Sequence, residues 1–75
     1  VTQACIKAIE TYGSSVSASR IASGDKPLHR QLEKAIASFI GVEDSLVMTA
    51  GFLTNASTIS YLFGEHDAIF MDSLA

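Results

Sequence analysis

"SLVMTAGFLTN", residues Ser45–Asn55, sets a short apolar run against a glycine and then against what reads as a helix. The run from Ser45 to Ala50 is too short for a helix and suits a strand buried on both faces, as in a parallel sheet. Beyond Gly51, the positions Phe52, Ala56, Ile59 and Phe63 mark a helix, and Gly64 stops it. "DAIFMD", Asp67–Asp72, reads as a second strand. Strand, helix and strand in that order predict a right-handed crossover between parallel strands. The expected fold class is therefore α/β, with helices packed on a mainly parallel sheet.

Two further helices are expected upstream. In "QACIKAIETYG" the residues Cys5, Ile6, Ile9 and Tyr12 recur at helical spacing, and Gly13 supplies a left-handed stop. "SSVSASRIASG", Ser14–Gly24, has no stable period and reads as an ordered loop. Asp25 offers a side-chain oxygen to the free amides of the next helix, and Pro27 fits its first turn. Leu28, Leu32, Ile36 and Phe39 then form one stripe that ends at Gly41. No repeat, low-complexity tract or linker interrupts the chain, so residues 1–75 are expected to belong to one domain with no internal boundary.

Composition limits what such a domain does. Hydrophobic residues make up 48% of the chain and charged residues 17%, against roughly 25% charged in an ordinary soluble domain. A small domain has proportionally more surface to cover with polar groups, so the sequence reads as a piece of a larger body. The formal net charge of -3 and the lack of a Lys/Arg cluster remove the electrostatic footprint of a nucleic-acid or anionic-membrane partner. No apolar run approaches the ~20 residues of a membrane span, and "VTQACIKAIE" lacks the pattern of a signal peptide, which predicts a cytoplasmic protein. The single cysteine, Cys5, lies in an apolar helical stripe and is expected to pack.

The chemistry begins at Gly51. A helix that starts directly after a buried strand leaves its first N–H groups unpaired and partly positive, which suits a phosphate, and a glycine there lets a ligand approach the backbone. The same glycine also serves as a plain turn device. His29 and Glu33 lie four apart on one helix face; two ligands without a third make a poor metal site. No metal is expected, and a helical ion pair or structural hydrogen bond is the expected use of this pair. His66–Asp67 reads as a solvated polar pair at a turn. The loop serines have no evident base partner, which argues against a hydrolase nucleophile.

Seven short motifs fall in the order and spacing of one family: Tyr12–Gly13, Ser19–Arg20, Ser23–Gly24, His29 with Leu32–Glu33, "FIGVED" from Phe39, "AGFLTN" from Ala50 and "DAIFMDSLA" from Asp67. The chain resembles the α-oxoamine synthases, pyridoxal-phosphate enzymes of fold type I, along nearly all of its length. The resemblance implies the N-terminal part of the large cofactor-binding domain of an acyltransferase, which condenses an amino acid with an acyl thioester such as acyl-CoA to give an α-amino ketone. It further implies pyridoxal 5'-phosphate as cofactor and a homodimer with its active site at the subunit interface. The phosphate-binding turn of the family resembles Ala50–Gly51–Phe52, so Gly51 and Phe52, with Asn55 one turn on, are the expected cofactor-binding residues. The serine-rich loop resembles the family's substrate entrance, which makes Ser19 and Arg20 the expected substrate-binding residues. Arg20 either pairs a substrate carboxylate or phosphate through its planar fork, or holds the loop by bonding backbone carbonyls.

No catalytic residue is expected within these residues. In the family a segment like Asp72–Ser73–Leu74–Ala75 is followed by a histidine that stacks on the cofactor ring, and the aspartate and lysine that complete the site come far later. Lys7, Lys26 and Lys34 match no family lysine. Three other readings stay open: a non-catalytic partner subunit that keeps the fold, a related pyridoxal-phosphate aminotransferase, and a free-standing binding module.

Overall fold

The computed structural model describes residues 1–75, and its regular elements are all helical. They are α1 (Thr2–Tyr12), a π-helical turn (Arg20–Gly24), α2 (Pro27–Ile40) and α3 (Gly51–Leu62). The chain divides into two compact units, Val1–Ser45 and Leu46–Ala75.

The α/β expectation is overturned. Ser45–Ala50 and Asp67–Asp72 form no strands, and there is no sheet. A helix closes its hydrogen bonds inside its own segment, whereas a strand needs a neighbour across a ladder. The two apolar runs do not supply that neighbour to each other. In the second unit the chain after α3 is instead held by local turns. The Gly64 amide donates to Asp67 Oδ2 at 2.7 Å and the Asp67 amide to the Gly64 carbonyl at 3.1 Å. His66 stands in this turn and is exposed, and Asp72 makes a similar turn by accepting the Leu74 amide at 2.8 Å.

The helices arise where their signals are local. Helix α1 ends at Gly13, whose φ of +82 is open to glycine, although its ψ of -179 gives an extended exit in place of the left-handed helical one. Helix α2 carries Pro27 at its first position and ends at Gly41 in the left-handed conformation, φ +83 and ψ +35. The amides of Gly41 and Val42 both donate to the Ala37 carbonyl, at 2.9 and 3.0 Å.

The start of α2 departs from expectation. Its N-cap is Lys26, and Asp25 lies one residue outside. The Asp25 carboxylate accepts from Arg20 Nε at 2.8 Å, so it serves the preceding turn and not the helix. The helix is closed instead by His29, whose Nδ1 accepts the Lys26 amide at 2.9 Å, while the His29 amide donates to the Lys26 carbonyl at 2.9 Å. This is half of a capping box, with imidazole in the place of the usual N3 carboxylate or amide and the Lys26 carbonyl in the place of the N-cap side chain. His29→Ala is expected to fray this turn by about 1 kcal/mol, roughly a fivefold rise in Lys26 amide exchange, with the C-terminal turn of α2 unchanged.

Little of the first unit is buried. The buried face of α2 runs through Glu33 and Ala37, one turn apart, and Gly24 packs in the turn that precedes it. Leu28, Leu32 and Phe39, three residues of the apolar stripe, are exposed. Cys5 is exposed as well, on a helix with no buried residue.

Candidate functional site

In the first unit, a charged cluster forms around the serine-rich loop. The π-helical turn starts from Ser19, whose extended backbone, φ -67 and ψ 154, turns its carbonyl back over the following residues. That one oxygen accepts the amides of Ala22 at 3.2 Å, Ser23 at 3.2 Å and Gly24 at 2.8 Å. Five residues are thus wound onto one acceptor, and the turn is tight enough to bury Gly24.

Arg20 ties this turn down on both sides. Its Nε donates to Asp25 Oδ1 at 2.8 Å, just beyond the end of the turn, and its Nη1 to Glu33 Oε1 at 2.5 Å, on α2. Glu33 also accepts from Arg30 Nη1 at 3.3 Å through its other oxygen. The Glu33 side chain is 1% exposed, and it is the one buried charged residue. Hydrogen bonding to Glu33 and then to Asp25 pushes the Arg20 guanidinium above its ordinary range, so it stays charged. His29 Nδ1 stands 3.6 Å from Asp25 Oδ1, but that nitrogen already accepts the Lys26 amide. The neutral ring therefore carries its proton on Nε2.

Arg20 bonds the carboxylates of Asp25 and Glu33 in its own chain. His29 and Glu33, expected to serve a helical ion pair or structural hydrogen bond, do so with separate partners: His29 accepts the Lys26 amide, and Glu33 pairs with Arg20 and Arg30. Asp25 and Glu33 were missed as partners of Arg20. The available signal was a glutamate four residues before a small alanine on an amphipathic helix, which places both on the face that packs.

In the second unit, Gly51, Phe52 and Asn55 lie in the first five residues of α3, all exposed. The N-cap is Ala50, with extended backbone and no side-chain cap. The first amide to find a carbonyl one turn back is that of Thr54, bonded to Ala50 at 2.9 Å, and the Thr54 hydroxyl shares the same acceptor at 2.9 Å. The preceding amides of the helix have no carbonyl of an earlier turn to bond. A methyl group built on Gly51 meets nothing within 4 Å. This helix end is bare, uncapped and open above its glycine.

Comparison with curated proteins finds the 8-amino-7-oxononanoate synthase of Geobacter metallireducens, 42% identical over 74 residues, which are 99% of this chain and 19% of that protein. Two proteins given the same name provisionally also match. That of Gloeothece citriformis is 48% identical over 69 residues, 92% of this chain and 18% of the relative. That of Thermodesulfovibrio yellowstonii is 43% identical over 74 residues, 99% of this chain and 19% of the relative. The chain thus spans about a fifth of the length of the curated relatives it matches. No family model matches it, and no solved structure does.

Proposed function

We propose, from the premise that the chain is a homologue of the pyridoxal-phosphate-dependent α-oxoamine synthases over nearly its whole length, that it forms the N-terminal part of the large cofactor-binding domain of such an acyltransferase. The whole protein condenses an amino acid with an acyl thioester, acyl-CoA, to an α-amino ketone. It works in the cytoplasm as a homodimer with its active site at the subunit interface.

The bare N-terminus of α3 carries this reading. Its residues fit a phosphate monoester: the amides of Gly51 and Phe52 point out of an uncapped helix end, the helix dipole favours a negative charge there, and nothing crowds Gly51. Asn55, one turn on, adds an amide side chain near the same end. When bound, the cofactor supplies an electron sink for the charge that develops at the α-carbon of the amino acid. Gly51 and Phe52 anchor the phosphate and so fix the position of the ring; they move no proton. Ser19 and Arg20 stand at the substrate entrance, where the charged cluster holds their backbone in one conformation.

The test uses the full-length protein with an amino acid and acyl-CoA, following free thiol and carbon dioxide. Release of thiol supports the synthase reading. Amino-group transfer without thiol release would mean an aminotransferase, and cofactor binding without either reaction a partner subunit. Gly51→Val places a branched side chain beside the phosphate position, on a Cβ that meets nothing within 4 Å. It is expected to weaken pyridoxal phosphate at least about tenfold by equilibrium dialysis and to leave pyridoxal, which lacks the phosphate, unchanged.

A further inference from the structure

We propose that Glu33 is the positioning residue of the Ser19–Gly24 turn: its carboxylate, fixed on α2, sets the plane of the Arg20 guanidinium and so holds Ser19 and Arg20 in place. That the held segment lies at a substrate entrance rests on the function proposed above; the holding itself rests on geometry.

A guanidinium bonded through one nitrogen still swivels. Bonded through Nε to Asp25 and through Nη1 to Glu33, its plane is defined by two carboxylates on different elements. The two are not equivalent anchors. Asp25 sits in extended backbone between the turn and α2, and its side chain is 39% exposed. Glu33 is on the second turn of a helix closed at both ends, and its side chain is 1% exposed. Glu33 is therefore the rigid reference and Asp25 the follower. Its second oxygen faces Arg30 and its backbone carbonyl accepts the Ser45 hydroxyl at 2.6 Å, which fixes the helix side of the contact from two further directions.

Stability alone does not explain a carboxylate here. Desolvating an ion pair offsets most of its attraction, and an apolar side chain of similar volume is often as stabilising. What the apolar side chain lacks is direction. A leucine at this position would fill the space beside Ala37 and leave the guanidinium without its fixed partner.

Two variants of the full-length protein test this. Glu33→Gln keeps size and one acceptor but removes the charge, and Glu33→Leu keeps the packing but removes direction. Both are expected to raise KM for one of the two substrates about tenfold, with kcat within about twofold, and to speed exchange of the Ala22, Ser23 and Gly24 amides by a similar factor. Adding Arg20→Ala to Glu33→Gln is expected to change the exchange of these amides little more, since the two residues hold the turn as one unit. Unchanged KM, with any loss confined to the fraction of active protein, would overturn the proposal. If the unsubstituted protein consumes no thioester, the proposed function falls and amide exchange decides the positioning role alone. Acceleration confined to the turn supports it, and unchanged exchange overturns it.

Discussion

The isolated 75-residue chain is expected to show no cooperative unfolding transition. Its accessible surface is 6842 Å². A folded monomer of 8.0 kDa exposes only about 4,450 Å², and the extended chain about 11,600 Å². The chain therefore buries about 40% of its extended surface, where a self-sufficient domain of this size buries about 60%. The shortfall is apolar. Ala37 is the one buried hydrophobic residue, while Phe39, Phe52, Phe70 and Leu74 are each more than 80% exposed. Burial of apolar surface is the main term that opposes chain entropy, and here it is missing. Heating should give a gradual loss of helical circular dichroism, no heat-absorption peak in calorimetry, and strong binding of an apolar dye at the start. A sharp two-state transition, coincident in fluorescence and circular dichroism, would contradict this and favour the free-standing module.

That same imbalance explains what was legible in the sequence. The three helices were readable because their determinants are local: Pro27 at a first turn, Gly41 in the left-handed conformation, a 3.6-residue period in between. Helix α3 was placed from Phe52, Ala56, Ile59 and Phe63; it begins one residue earlier, at Gly51, and ends at Leu62, with Phe63 as its cap in extended backbone. The apolar runs Ser45–Ala50 and Asp67–Asp72 carry a strand-like composition, but pairing is a property of two segments, and these two do not pair. Composition spoke for burial; the ladder did not follow.

At the sites the division is similar. The start of α3 beside Gly51 was legible, but the buried strand Ser45–Ala50 from which the phosphate reading set out does not form. The charged cluster was not legible, because it depends on how five residues wind onto Ser19. Asp25 looked like a helix cap because Asp is a favoured capping residue and Pro27 just beyond it fits a first turn. The winding of the turn brings the Arg20 side chain within reach of that carboxylate, and a charge-assisted bond to a guanidinium is stronger than one to a neutral amide. His29 then takes over the cap.

Gly24→Ala is expected to unwind this turn, the largest effect of any single methyl group in the first unit. A Cβ built there lies 2.0 Å from the Ala18 carbonyl oxygen, 2.8 Å from its carbon and 2.9 Å from the Ser19 oxygen. All three atoms are backbone, so no side-chain rotation relieves the overlap. The main chain has to open, and the bond it loses first is the shortest of the three on Ser19, that from the Gly24 amide at 2.8 Å. Arg20 sits at the start of the same turn, so opening it draws the guanidinium away from Asp25 and Glu33 together. Inserting a methyl group into a packed site costs about 1–3 kcal/mol where neighbours yield, and a backbone neighbour yields least. In the full-length protein the Ala22, Ser23 and Gly24 amides should then exchange about a hundredfold faster, near the upper end of that range. Gly64→Ala is the control, since a Cβ there meets nothing within 4 Å, and it should leave those amides within about twofold of the original. Equal exchange in the two variants would mean that the turn is not closed around Gly24, and the cluster built on it would lose its physical basis.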